Sequence, residues 1–459
     1  MIYSSLIFIY AFLPLSLLAH KIAPAKYKEL VLLILSLVFI SFSGLAVLVF
    51  AIAYAALNYS GGLVIQRAKD AKGLSVIPLT AFLSADIGIM ILLRSRILTG
   101  LSGVIGLHRI LCPLGLSLVT LSAAGYLMDI YFGRQRAEKD MVRFGLFILM
   151  FPKIIMGPVL TYNRYARIMD KRSQSAEALG AGLTLFMKGL AKKVLAADNL
   201  YMLYSAVNGV KVKELTALTA WTGAVAYVLC LYFTLSGFAD MGAGTARCFG
   251  YTFPDSFRYP LFSSRLGYFA TKWHIQPVRW FVRYIERPLQ KLTSHRWLQA
   301  LISVSVCGII GFWYRFNTNG LLCGLIFGLL LLIERFLSGF KIMKPTGVMY
   351  TSVLIILLGV LFSGNTVSSS MRFIGAMTGS SRELADSLTV YLLRSYSVLL
   401  LIAMYASSDL LRTMLIRSGS AKLRSVLTGA RPVIVLLLLI SCTALMSYSG
   451  SSDMILLRL

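Results

Sequence analysis

Residues Leu215–Ala239, LTALTAWTGAVAYVLCLYFTLSGFA, run for 25 positions without a charged side chain and stop at Asp240. A helix needs about 20 apolar residues to cross a bilayer, so this stretch spans one. Working outward, the same reading repeats. Ile2–Ala19 is a first span, with no basic leader and no small-x-small cleavage site, so it reads as retained rather than cleaved. Leu30–Gln66 is too long for one crossing and divides at Ser41-Phe42-Ser43-Gly44. Leu74–Leu93, interrupted only by Asp86, and Ile110–Met128 follow, as do Trp297–Tyr314, Phe316–Ile333, Pro345–Met371, Ser395–Ser408 and Pro432–Ser452. Phe144–Leu160 is short and carries Pro152, Lys153, Gly157 and Pro158, the pattern of a broken or re-entrant helix. Leu179–Leu200 is amphipathic, marked by Lys188, Lys192 and Lys193.

The composition agrees. Of 459 residues 58% are apolar or aromatic and 14% charged, about half the charge of a soluble domain, with mean hydropathy +0.77. Soluble, disordered, collagenous and coiled-coil classes are excluded. The expected fold is an all-α polytopic membrane protein of about 11–12 crossings, a single membrane domain over 1–459, because lipid leaves no partner for open backbone.

Lys and Arg exceed Asp and Glu by 45 − 18 = 27. The cations lie in short segments between spans, which suits anionic headgroups rather than nucleic acid. Six cysteines, including Cys112, Cys230 and Cys442, form no C-x-x-C pair, so neither a disulfide framework nor a metal site is expected.

Phe257–Trp297 stands apart. Eight cations interleave with aromatics around a single acid, Glu286, as in helices lying at the membrane interface. Arg258, Arg265, Lys272 and Arg279 recur every seven residues and would share a face of any helix they share. Of four histidines, His20, His108 and His295 sit at span ends as ordinary interfacial residues. His274, within Lys272-Trp273-His274-Ile275, is the candidate for chemistry, an ordinary interfacial histidine being the plain alternative. Asp240 and Asp129 border spans and are either functional or structural ion-pair partners. No Walker loop, H-E-x-x-H, dinucleotide fingerprint or G-x-S-x-G elbow occurs.

Several segments together resemble the membrane-bound O-acyltransferase family, in its bacterial alginate O-acetyltransferase and teichoic-acid D-alanylation branch. Gly189-Leu190-Ala191-Lys192-Lys193-Val194-Leu195-Ala196-Ala197-Asp198-Asn199-Leu200 and Tyr232-Phe233-Thr234-Leu235-Ser236-Gly237-Phe238-Ala239-Asp240-Met241 carry the likeness most strongly. Phe151-Pro152-Lys153, Phe249-Gly250-Tyr251-Thr252-Phe253-Pro254 and Trp273-His274-Ile275 support it over a core of about 58–380. The resemblance implies a helical bundle around a central tunnel. It implies transfer of an acyl group, most simply acetyl, from a cytoplasmic thioester (acetyl-CoA or an acyl carrier) to hydroxyls of a cell-surface polysaccharide.

No bound cofactor is implied. The implied partners are the plasma membrane in which the chain sits, the polysaccharide acceptor, and an extracytoplasmic acyltransferase or export partner. The family's principal histidine falls at Tyr314 in Gly311-Phe312-Trp313-Tyr314-Arg315. Imidazole suits a base at neutral pH; phenol, with a reference pKa near 10, does not. Three accounts follow: His274 serves as base with Tyr314 as oxyanion donor; the chain binds an acyl chain or partner without catalysis; or the tunnel serves export. Asp240 is then a polar wall or ion-pair partner, and Trp273 and Trp313 line the tunnel or the interface.

Overall fold

A computed structural model describes residues 3–94, 113–337, 344–379, 383–410, 413 and 421–449. His108 and Cys112 lie outside the described residues. Within them the chain is largely helical and contains no strand. Eight helices are long and apolar enough to cross a membrane: Leu45–Asp70, Val76–Arg94, Ala217–Cys248, Arg296–Tyr314, Thr318–Phe336, Pro345–Ser363, Ser387–Ala406 and Gly429–Tyr448, with Phe8–Ile22 a shorter apolar one. The protein is an all-α multi-pass membrane protein. Its contacts cluster into two compact units, Met1–Gly189 with Phe238–Asp255, and Leu190–Gly237 with Ser256–Leu459.

In the first unit the stretch around Pro152 does break. Met141–Leu149 ends at Met150, whose ψ of 115° leaves the helix, and Phe151–Ile154 starts again with Pro152 in its first turn. The interruption leaves polar backbone that lipid cannot satisfy, and side chains take over. Ser36 Oγ accepts from the Phe151 N–H at 3.0 Å, Tyr3 Oη donates to the Phe151 carbonyl, and buried Lys153 donates to the Phe147 carbonyl. Two neighbouring spans meet through a polar pair that the apolar count passed over. Asn58 Nδ2 donates to Asp86 Oδ1 at 3.0 Å, with both residues fully buried.

In the second unit, Arg296–Tyr314 and Thr318–Phe336 pack backbone to backbone. A Cβ on Gly311 would lie 2.2 Å from the Gly320 carbonyl oxygen, and one on Gly324 would lie 2.2 Å from that of Cys307. Small residues permit this approach, and in lipid such close van der Waals packing drives helix pairing. Asn317 caps the second helix by accepting from the Gly320 N–H at 2.9 Å.

The aromatic-basic segment is not one helix. It divides into Leu266–Lys272, Ile275–Phe281, a π-helical turn Val282–Glu286, and Arg287–Gln290. The sevenfold cation spacing therefore defines no face. Arg258 is in a loop, Arg265 is an N-cap, and Lys272 and Arg279 belong to different helices separated by His274.

Candidate active site

His274 stands at the break between two of these short helices, with φ 36° and ψ 59°. A left-handed conformation costs a non-glycine residue about 1–3 kcal/mol, so the surroundings must impose it. Two backbone hydrogen bonds do so: Ile275 N–H to the Ser256 carbonyl at 2.8 Å, and Arg258 N–H to the Lys272 carbonyl at 3.0 Å. They clasp the 256–258 strand of loop against the turn. Phe257 then stacks on the imidazole, with centroids 5.3 Å apart and planes within 10°. The ring is fixed in place and only 1% of the residue is exposed.

The ring's partner comes from the end of the Arg296–Tyr314 helix. His274 Nδ1 and Tyr314 Oη are 2.6 Å apart, a full hydrogen bond between two positions 314 − 274 = 40 residues apart. If the imidazole carries its proton on Nδ1, it donates to the Tyr314 oxygen and Nε2 is left unprotonated. Burial pushes the His274 pKa down to about 3, so the ring is neutral at physiological pH. Trp313 packs beside the pair against Phe281 and Tyr314, and Arg315 holds the Phe362 carbonyl at the foot of the helix.

Tyr314 and Trp273 also line a cavity of about 340 Å³ within the second unit. One wall is a stripe of the Arg296–Tyr314 helix at helical spacing: Ser303, Val306, Cys307, Ile310, Gly311 and Tyr314. The opposite wall includes Leu231 and Leu235 of Ala217–Cys248, with Phe269 and Phe327. Among its lining residues Tyr314, Ser303 and Glu286 are polar, and Glu286 Oε1 accepts from Ser303 Oγ at 2.6 Å and from Gln290 Nε2 at 3.1 Å. Sequence reading missed this triad, although Glu286 is the lone acid of its segment.

Asp240 belongs to the first unit, partly exposed, with Lys188 Nζ at 3.9 Å. Asp129 is buried and ion-paired to Arg134 at 3.1 Å, the structural alternative. His20 does sit in the last turn of Leu13–Ile22, but it is buried against Phe249, with Gln174 Nε2 at 3.0 Å from its Nδ1. His295, by contrast, is an exposed N-cap. Among the described residues no group of histidine, cysteine and acid side chains could hold a metal.

The fold and this site define a helical membrane protein with a buried imidazole–phenol pair at the end of an apolar cavity. No protein-family model matches the chain. It is 30% identical over 393 residues to a probable alginate O-acetylase of Azotobacter vinelandii, covering 82% of this chain and 78% of that one. It is 27% identical over 429 residues to a peptidoglycan O-acetyltransferase of Helicobacter pylori, covering 83% and 80%. A teichoic acid D-alanyltransferase of Bacillus subtilis is 25% identical over 241 residues, half of this chain and 60% of its own. The chain belongs to the membrane-bound O-acyltransferase family.

Proposed function

We propose that this protein transfers an acyl group from a thioester to hydroxyls of a cell-surface polysaccharide, with His274 as general base and Tyr314 as hydrogen-bond donor to the oxyanion. The relatives' names supply the acceptor class, polysaccharide or peptidoglycan, and suggest acetyl as the simplest acyl group. The acceptor hydroxyl attacks the acyl carbon and its proton passes to His274 Nε2. The carbon–sulfur bond breaks as the ester bond forms, and the proton returns to the departing thiolate, leaving ester and thiol. Tyr314 donates to the carbonyl oxygen as charge develops on it. The chain acts in the plasma membrane with a cytoplasmic donor, passing product to an extracytoplasmic acyltransferase or export partner.

One observation carries this reading: the 2.6 Å hydrogen bond that joins His274 to the residue standing at the family's principal histidine position. A second reading, a non-enzymatic member of the same pathway, draws on the burial of His274. A base with a pKa of about 3 accepts a proton weakly, whereas general-base catalysis works best near neutral pKa. Ester content of surface polysaccharide decides between them, measured in a deletion strain complemented with wild type, His274→Ala and Tyr314→Phe. Restoration by wild type and not by His274→Ala, at equal protein level, supports the enzyme. Equal restoration by all three supports the non-enzymatic member.

A further inference from the structure

We propose that Glu334 is a positioning residue for His274, its carboxylate gripping the start of the short helix that leads into the histidine. The proposal rests on the acyl-transfer reading and concerns how the base is aimed.

Leu266–Lys272 has seven residues, too few to hold a helix by their own hydrogen bonds. Its first N–H groups have no partner within the helix, and the side chain of its N-cap, Arg265, supplies no cap hydrogen bond. Glu334, of Thr318–Phe336, supplies two from a distant part of the chain. Its Oε2 accepts from the Leu266 N–H at 2.7 Å and its Oε1 from the Gly267 N–H at 3.2 Å. A charged acceptor that grips with both oxygens fixes direction as well as distance.

The place of the acid points the same way. Glu334 stands two residues from the end of its own helix, where the helix dipole disfavours a negative charge. At the start of Leu266–Lys272 the same charge is favoured. Phe327 lies 334 − 327 = 7 residues earlier on the same face and meets Phe269 with centroids 5.9 Å apart. Phe269 in turn stacks on Trp273, at 5.3 Å and 22°. The short helix is thus held against Thr318–Phe336 at its start by Glu334 and along its length by Phe327.

Thr318–Phe336 is also the helix whose Gly320 and Gly324 meet Gly311 and Cys307 of the Tyr314 helix backbone to backbone. One helix therefore indexes both members of the 2.6 Å pair: Tyr314 through glycine contacts, His274 through Glu334 and Phe327. Removing the Glu334 carboxylate loosens one member and leaves the other in place.

The test uses the full chain in lipid nanodiscs. Diethyl pyrocarbonate modification of His20, His274 and His295 is read by mass spectrometry. In parallel, kcat and KM are measured for transfer from acetyl-coenzyme A to oligosaccharide of the surface polysaccharide. In wild type the exposed His295 should react while the buried His20 and His274 stay protected. Glu334→Ala should raise modification of His274 at least about tenfold, with His20 still protected. Its kcat should fall about 10²-fold at nearly constant KM, the usual loss when a catalytic group is misplaced by about 1 Å. Glu334→Gln, whose amide oxygen accepts from one N–H only, should lie between wild type and Glu334→Ala in both readings.

A Glu334→Ala variant with His274 protected and kcat intact overturns the proposal, even where less of it folds, since that is ordinary helix capping. Faster modification of His274 with kcat intact overturns it too, because the aim then has no effect on transfer. If Glu334→Ala loses protection of His20 as well, the fold is damaged and Glu334→Gln decides by the same two readings. If wild type transfers no acetyl, the transfer reading falls, and protection of His274 alone decides whether Glu334 holds it.

Discussion

Two of the buried polar pairs among the described residues, Asn58–Asp86 and His274–Tyr314, are built on different principles. Asn58–Asp86 joins two regular helices at 3.0 Å, and neither residue lines the cavity. His274–Tyr314 joins a left-handed residue to a helix end at 2.6 Å, and one of its members opens onto about 340 Å³ of apolar space. Both are buried and both are hydrogen-bonded. What sets the second apart is that Tyr314 adjoins the cavity and that His274 is held in a strained left-handed backbone. Burial and pairing alone would have ranked them equally.

Substitutions can break this contrast. The largest effect falls on His274→Ala, which should lower acyl transfer by about 10²–10⁴-fold while the purified protein keeps its gel-filtration profile. Tyr314→Phe should cost about 10²–10³-fold, the usual loss for one oxyanion donor, again with the folded fraction unchanged. If both variants transfer at the wild-type rate, the pair is structural like its counterpart. Asp86→Ala should do the reverse. It leaves the Asn58 amide short of a partner and lowers thermal stability by about 1–3 kcal/mol, with transfer per folded molecule intact.

The smallest effect is a pH dependence of stability. Burial holds His274 near a pKa of about 3, below its reference value of 6.5. Below about pH 6.5 the unfolded chain therefore binds a proton that the folded chain refuses, and stability falls as pH drops toward about 3. Above that window the residue contributes no slope. At pH 6 the loss is under about 1 kcal/mol, and His274→Gln should flatten this part of a denaturation series measured across pH.

Much of the fold was legible in the sequence because uncharged runs measure themselves against the bilayer. The break near Pro152 was equally plain, since Pro lacks a helix donor and Gly loses the most freedom in a helix. The packing of Gly311 and Gly324 was not foreseen, because spacing along one helix does not name its neighbour. For the same reason Asp86 read as a blemish in a span, although its partner Asn58 was 28 residues away. The sevenfold cation repeat misled, because periodicity presumes one continuous helix and His274 divides it. His274 stood out by its place in the aromatic-basic segment and Tyr314 by the family likeness. That they touch is a property of the folded chain, set by a loop clasp with no signature in the order of residues.

The identity of Tyr314 has a genetic consequence. Tyrosine and histidine codons differ only in their first base, T against C, so one transition converts the imidazole–phenol pair into two imidazoles. The phenol is already held by His274, a site polar enough to receive a ring nitrogen. Surface ester in a deletion strain carrying Tyr314→His, set against wild type, would read what the phenol itself contributes.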